Sequence, residues 1–192
     1  MPQSALIYSF YGDDFTGSTD VLENVAGAGL RGVLFLGEPS AEHLQRFSDC
    51  QVIGIAGDSR SRTPEWMDEN LPRIFALLRS FDAPVTHYKV CSTFDSAPSR
   101  GSIGRAMEIG LSIFAPQFVP IVVSAAHLRR YVAFGNLFAA AGENIYRIDR
   151  HPTMSCHPVT PMHEADLRRH LASQTAMPIG LIDLRTLQAG KS

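Results

Sequence analysis

Apolar residues in this chain gather in short continuous runs, and amphipathic stretches separate them. The runs lie at Leu6–Phe10 (preceded by Ala5), Gly32–Leu36, Val52–Ala56, Val85–Tyr88, Phe118–Val123 and Ile179–Ile182. They are too continuous for strands with one wet face, so they predict a mostly parallel sheet buried on both faces. From about Ser18, residues Val21, Leu22, Val25 and Ala26 return at helical spacing and stop at Gly29. Thr63-Pro64-Glu65 is a helix start, with a cap, a proline at the first helical position and then an acid. Leu71, Ile74, Phe75 and Leu78 continue its core face, and Pro72 is expected to kink or split it. Ile103, Met107, Gly110 and Leu111 mark another helix. Thr160-Pro161 opens a last one, with Glu164 and Asp166 near its positive end. Strands alternating with helices predict an α/β domain, a three-layer αβα sandwich around a mostly parallel sheet, over 1–192 without repeat or internal linker.

One stretch breaks the alternation. Between Ser124 and Thr160 no long helix is predicted, yet Tyr131, Phe134, Leu137, Phe138 and Tyr146 make it too apolar for disorder. Long irregular segments in compact domains are usually functional. This one carries Arg129, Arg130, Asn136, Arg147, Asp149, Arg150, His151 and His157.

Composition narrows the class. The 192 residues are 45% hydrophobic and 19% charged, which predicts a globular chain with room for one good core. A formal net charge of -2 gives no reason to expect nucleic acid or an anionic membrane as partner. Cys50, Cys91 and Cys156 have no paired spacing, which favours reduced thiols and a cytoplasmic protein. The first apolar stretch is short and lacks a basic flank, so neither a signal peptide nor a membrane span is expected.

Four segments carry the chemistry. Asp13-Asp14 lies in Gly12-Asp13-Asp14-Phe15-Thr16-Gly17, between the first strand and the first helix. Ligands of open α/β sheets bind at the carboxyl ends of strands. Two adjacent carboxylates there serve a ligand, a metal, a proton transfer or a helix cap. Tyr88 to Ser96 follows another strand, and Gly101-Ser102-Ile103-Gly104 comes shortly after. Its Lys89, hydroxyls and backbone amides suit a carboxylate or phosphate, and Asp95 suits a sugar hydroxyl. Asp58-Ser59-Arg60-Ser61-Arg62 places an arginine after a third strand, where it can grip a carboxylate with two prongs. In the His151-to-His163 segment, three histidines six apart with Asp149 and Cys156 invite a zinc reading, but the spacing fits no paired-ligand pattern. A proline-fixed loop presenting His157 or Thr160 to a ligand fits better. Gly190-Lys191-Ser192 imitates the end of a phosphate-binding loop, but Arg185 stands where its first glycine is required. The acidic pair also lacks the partner acid, two residues on, of phosphatases with an aspartyl nucleophile.

In this order the segments resemble the N-terminal sugar-binding domain of the four-carbon acid sugar kinase family, also catalogued as DUF1537. The matching residues are Asp13-Asp14-Phe15-Thr16-Gly17, the Ser-Arg after the third strand and Tyr88 to Gly104. Arg130-Tyr131 with Phe134-Gly135-Asn136-Leu137-Phe138, and Arg150 to Met162, complete the set. Ala126 and Arg129 stand where the family pattern has proline and glycine, and Cys156 where it tends to have arginine. These departures touch the detail of the sugar contacts.

The resemblance implies ATP-dependent phosphorylation of threonate, erythronate or a 3-oxo-tetronate at the terminal hydroxyl. It implies a C-terminal nucleotide-binding domain, absent from this chain, that holds ATP and Mg2+, so the chain alone is expected to be inactive. Asp13 is then the base, with Asp14 close to an even choice. Arg60 (or Arg62), Lys89 and Arg130 neutralise the carboxylate and the phosphoryl charge. Asp14, Asp95, Asn136 and His157 read hydroxyls, and Thr16, Ser92 and Thr160 complete the substrate set. No residue of this chain is assigned to ATP or to a metal. The partners implied are a small sugar acid and the nucleotide-binding domain; a homodimer is compatible with the sequence. A stand-alone sugar-acid-binding module and a metal-dependent hydrolase are the alternatives.

Overall fold

A computed structural model of the chain describes residues 6–190, so Ala5 and the Lys191-Ser192 pair lie outside the described residues. The chain divides into two compact units. The first runs to Val90 and includes Ile109–Ala115; the second holds Cys91–Glu108 and everything from Pro116 on.

The first unit is built on strands β1 (Tyr8–Gly12), β2 (Gly32–Phe35), β3 (Val52–Ala56) and β4 (Val85–Lys89). All pair in parallel, in the order β2-β3-β1-β4. Its helices are α1 (Phe15–Gly27), α2 (Ala41–Arg46), α3 (Pro64–Ser80) and the last turns of α4 (Ile103–Phe114). Alternation along β1 decides the layers. Phe10 packs with Val21 and Val25 of α1, whereas Tyr11 meets Phe75 of α3 edge-on, with ring centroids 6.3 Å apart. Helices therefore cover opposite faces of the parallel sheet, as the buried runs predict.

The start of α3 is as read: Thr63 accepts from the Trp66 amide and Pro64 is the first helical residue. Pro72 does not split the helix, which runs unbroken through 17 residues. Met67, Leu71, Phe75 and Leu78 are buried along one stripe, and that packing outweighs one missing hydrogen bond.

The second unit holds an antiparallel sheet where the sequence reads as irregular. Strands β5 (Arg130–Ala133), β6 (Asn136–Ala141) and β7 (Asn144–Arg147) pair in the order β5-β6-β7. Phe134 and Gly135 both take positive φ (50° and 81°), the conformation a two-residue hairpin of this hand requires. Helices α5 (Leu167–Ala172) and α6 (Leu184–Gln188) follow.

Three expectations are corrected here. Phe118–Val123 and Ile179–Ile182 are not strands: Phe118 is 72% and Val122 85% exposed. Pro120 interrupts the first run, Pro178 precedes the second, and proline cannot donate to a ladder. No helix starts at Thr160 either. Its hydroxyl donates to Asp95 instead of capping, and Asp166 caps α5 by accepting from the Arg168 amide at 3.0 Å.

His87 shares the α1 face of the sheet with its cross-strand partner Phe10, and its Nδ1 shares a 2.5 Å hydrogen bond with the Tyr8 hydroxyl. Burial, helped by the Lys89 charge, pushes the imidazole down to about 4 from 6.5. Between these values the unfolded chain binds more protons than the folded one. Stability should therefore fall as pH drops from about 6.5 to about 4, by on the order of 2–3 kcal/mol, and stay level above. Urea titrations at pH 5 and 7.5 should show the loss in the wild type and a flattened slope in His87→Gln. In the same assay Leu71→Ala should lose about 2–5 kcal/mol.

Candidate active site

At the carboxyl end of the parallel sheet the ladder runs on past the strands. The Asp13 amide donates to the Lys89 carbonyl, and the Asp13 carbonyl accepts from the Arg60 amide, both at 3.0 Å. The Gly57 amide donates to the Gly12 carbonyl at 2.9 Å. These bonds fix the direction of the chain at Asp13 from both sides. The next residue, Asp14, caps α1: its Oδ1 accepts from the Gly17 amide at 2.7 Å. Glycine is needed at both ends of the signature by close approach. A Cβ on Gly12 would lie 1.9 Å from the Ser18 hydroxyl, and one on Gly17 would lie 2.7 Å from Asp14 Oδ1.

Arg60 comes from the short 3-10 turn after β3 and lies across both acids. Its Nε and Nη2 donate to Asp13 Oδ2 and Oδ1 at 3.1 and 2.6 Å, and Nη1 donates to Asp14 Oδ2 at 2.8 Å. The forked geometry is the strong form of a charged hydrogen bond. Burial is unequal. The Asp13 side chain is 4% exposed, that of Arg60 19% and that of Asp14 29%. Lys89, the last residue of β4, pairs with Asp20 of α1 at 3.2 Å. Beside Asp13, Ser59 and Tyr88 share a hydrogen bond of 2.9 Å, and Tyr88 stacks on Tyr11. Burial first, and then the Asp13 charge, push the Tyr88 phenol well above its ordinary value.

Of the two arginines left open by the sequence, Arg60 is the one joined to the acids. Arg62 pairs with Asp58 at the surface and lies 5.2 Å from the centre of the Trp66 ring. Thr16 is exposed in the first turn of α1. Asp20 also belongs to this cluster and has no place in the sequence reading, whereas Ser59 and Tyr88 enter that reading only as members of matching segments. Asp20 had a legible signal, since it lies three residues past Gly17 on the same face of α1.

The second unit gathers another group of expected residues. Asp95 is buried, and its oxygens accept from Thr93 and Thr160 hydroxyls at 2.6 and 2.8 Å. Thr160 is fully buried, and its amide donates to His157 Nδ1 at 3.1 Å. That bond makes Nδ1 the acceptor and leaves the proton of neutral His157 on Nε2. Arg130 and Asn136 stand at opposite ends of the β5–β6 hairpin. Arg130 donates to the Leu128 carbonyl at 2.8 Å and Asn136 to that of Phe134 at 3.3 Å. Ser92 is half-buried just after β4. His151 is structural: its Nδ1 accepts from the amides of Thr153 and Met154, and its Nε2 donates to the Ala140 carbonyl. Among the described residues no three His, Cys, Asp or Glu side chains are arranged to hold a metal ion. No helix among them is long and apolar enough to cross a membrane.

The profile of the family described as "sugar-binding N-terminal domain" matches residues 8–192. The chain belongs to that family. The sugar-binding domain is 54% identical over 185 residues to a 3-oxo-isoapionate kinase of Paraburkholderia graminis, covering 96% of this chain and 39% of that protein. It is 34% identical over 179 residues to a 3-oxo-tetronate kinase of Methylobacterium radiotolerans, covering 93% and 40%. Among solved structures it resembles a Haemophilus influenzae protein of the DUF1537 family at 26% identity and a TM-score of 0.80, over 94% of this chain and 42% of that one. The domain thus spans about 40% of the length of the curated relatives it matches.

Asp95 is buried and held by two threonines, so removing one donor should be felt as a lost charged hydrogen bond. Thr160→Val, which keeps the shape, should lower stability by about 1–3 kcal/mol in a denaturant titration. A change below about 0.5 kcal/mol would mean that Thr160 does not hold Asp95.

Proposed function

We propose that this domain is the substrate-recognising part of an ATP-dependent kinase that phosphorylates a small sugar acid at its terminal hydroxyl. The observation that carries the reading is the Asp13–Arg60–Asp14 group at the carboxyl end of the sheet, in a chain of a sugar-binding family whose relatives are named as kinases. Asp14 there keeps acceptor capacity for a hydroxyl donor, which suits a polyhydroxy compound. A 3-oxo-isoapionate-like acid is the first choice of substrate, since the identity to that kinase is 54% against 34% for the 3-oxo-tetronate kinase. Lys89 and Arg130 supply positive charge for the carboxylate or for the phosphoryl group, and Ser92, Asp95, Asn136, His157 and Thr160 supply polar contacts to the acid, as does Thr16.

The acids of the first unit do not fit a Mg2+ site. Asp13 and Asp14 are held by Arg60, Asp14 also by the Gly17 amide, and Asp20 pairs with Lys89. The nucleotide and its metal are therefore assigned to the remainder of the longer polypeptide, which is also the domain's expected partner.

Calorimetric titration tests the reading. The 192-residue chain should give heat with 3-oxo-isoapionate or 3-oxo-tetronate and none with ATP. The full-length protein should convert the same acids and ATP to phosphorylated product and ADP. Binding of ATP to the 192-residue chain would overturn the division of labour. Sugar-acid binding without turnover in the full-length protein would favour a sensing module.

A further inference from the structure

We propose that Asp14 is the carboxylate that meets the substrate hydroxyl, and that Asp13 is a positioning residue whose task is to anchor Arg60. The proposal rests on the kinase reading above and divides the roles within it. The family resemblance implies Asp13 as the base and leaves Asp14 as the near-even alternative; burial and pairing separate the two.

Both oxygens of Asp13 lie on one guanidinium, at 3.1 and 2.6 Å, and its side chain is 4% exposed. A carboxylate in that position has almost no surface to offer a ligand. Protonating it would also leave a largely buried arginine without its forked partner, which is strongly unfavourable. Asp14 is placed differently. Its side chain is 29% exposed, and each oxygen is held by a single donor, Gly17 N–H on Oδ1 and Arg60 Nη1 on Oδ2. Each carboxylate oxygen has a further lone pair for a hydroxyl. The cap and the arginine fix the orientation of Asp14 without using up its acceptor capacity. Arg60 is thus the link: Asp13 orients it from the buried side, and it orients the more exposed Asp14.

In the transfer step the substrate oxygen bonds to the γ-phosphorus of ATP and the bond from that phosphorus to the ADP oxygen breaks. The hydroxyl proton passes to Asp14. Proton removal is late in such a loose transition state, so a carboxylate suffices as the acceptor.

The test uses the full-length kinase with ATP and 3-oxo-isoapionate or 3-oxo-tetronate, reading kcat, KM and thermal midpoint. Asp14→Asn keeps the helix cap, because asparagine caps as well as aspartate. Its single amide oxygen cannot also accept from Arg60 Nη1, so the thermal midpoint should fall less than in Asp13→Asn, while kcat falls at least about a hundredfold. Asp13→Asn and Arg60→Lys should each lower both the thermal midpoint and kcat/KM, and the double variant should be no worse than the more damaged single one. If Asp13→Asn alone does not fold, the neutral pair Asp13→Asn with Arg60→Met removes both buried charges and should restore folding. Adding Asp14→Asn to that pair should then remove its residual turnover. The proposal is overturned if Asp14→Asn keeps kcat within about threefold of wild type. A folded Asp13→Asn with the wild-type midpoint and a kcat lost as a base would lose it overturns it as well. Wild-type protein inactive on both acids would instead refute the kinase reading, and the roles assigned here with it.

Discussion

A single guanidinium organises the carboxyl end of the parallel sheet. Arg60 donates to Asp13 and Asp14 from all three of its nitrogens, so two neighbouring acids that would repel each other are held in one arrangement. The sheet makes this feasible. Parallel strands β1 and β3 end side by side, and the backbone bonds from Gly57 to Gly12 and from Arg60 to Asp13 carry that alignment into the loops. The glycines flanking the pair remove the side chains that would collide with Ser18 and with Asp14 itself. The signature Gly-Asp-Asp-Phe-Thr-Gly is therefore a packing solution as much as a set of reactive groups.

The second unit uses its polar residues in another way. Asp95 draws in its near neighbour Thr93 and the sequence-distant Thr160, and Thr160 in turn fixes the tautomer of His157. His151 fastens the β6 backbone to the turn that follows β7. A histidine-rich stretch that looks like a ligand set in one dimension thus divides into a fastener, a half-buried side chain with an oriented ring, and the exposed His163.

The doubly buried strands were legible because a continuous apolar run between turn signals has few other uses. The same criterion failed at Phe118–Val123 and Ile179–Ile182, where prolines withhold the donors a strand needs. The β5–β7 sheet is not legible because its strands are short, half of β6 is alanine, and its first turn puts a phenylalanine at positive φ. At the site, Asp13, Asp14, Arg60 and Lys89 could be grouped because each ends or follows a strand of one parallel sheet. Their pairing could not, since it depends on register: Gly12 lies beside Lys89 on one side and Ala56 on the other. Nor could the inequality of the two acids, which follows from how deeply each is packed.

The ion pairs also bear on how quickly a ligand arrives. Asp13, Asp14 and Asp20 face Arg60 and Lys89, three negative charges against two positive ones. These five side chains therefore give an incoming anion weak repulsion instead of a pull, and do not raise its encounter rate by steering. Such a field fades over a Debye length of about 8 Å at physiological ionic strength. Salt would ease the approach of an anion to this group of ion pairs, the reverse of what a cluster of unpaired cations would show.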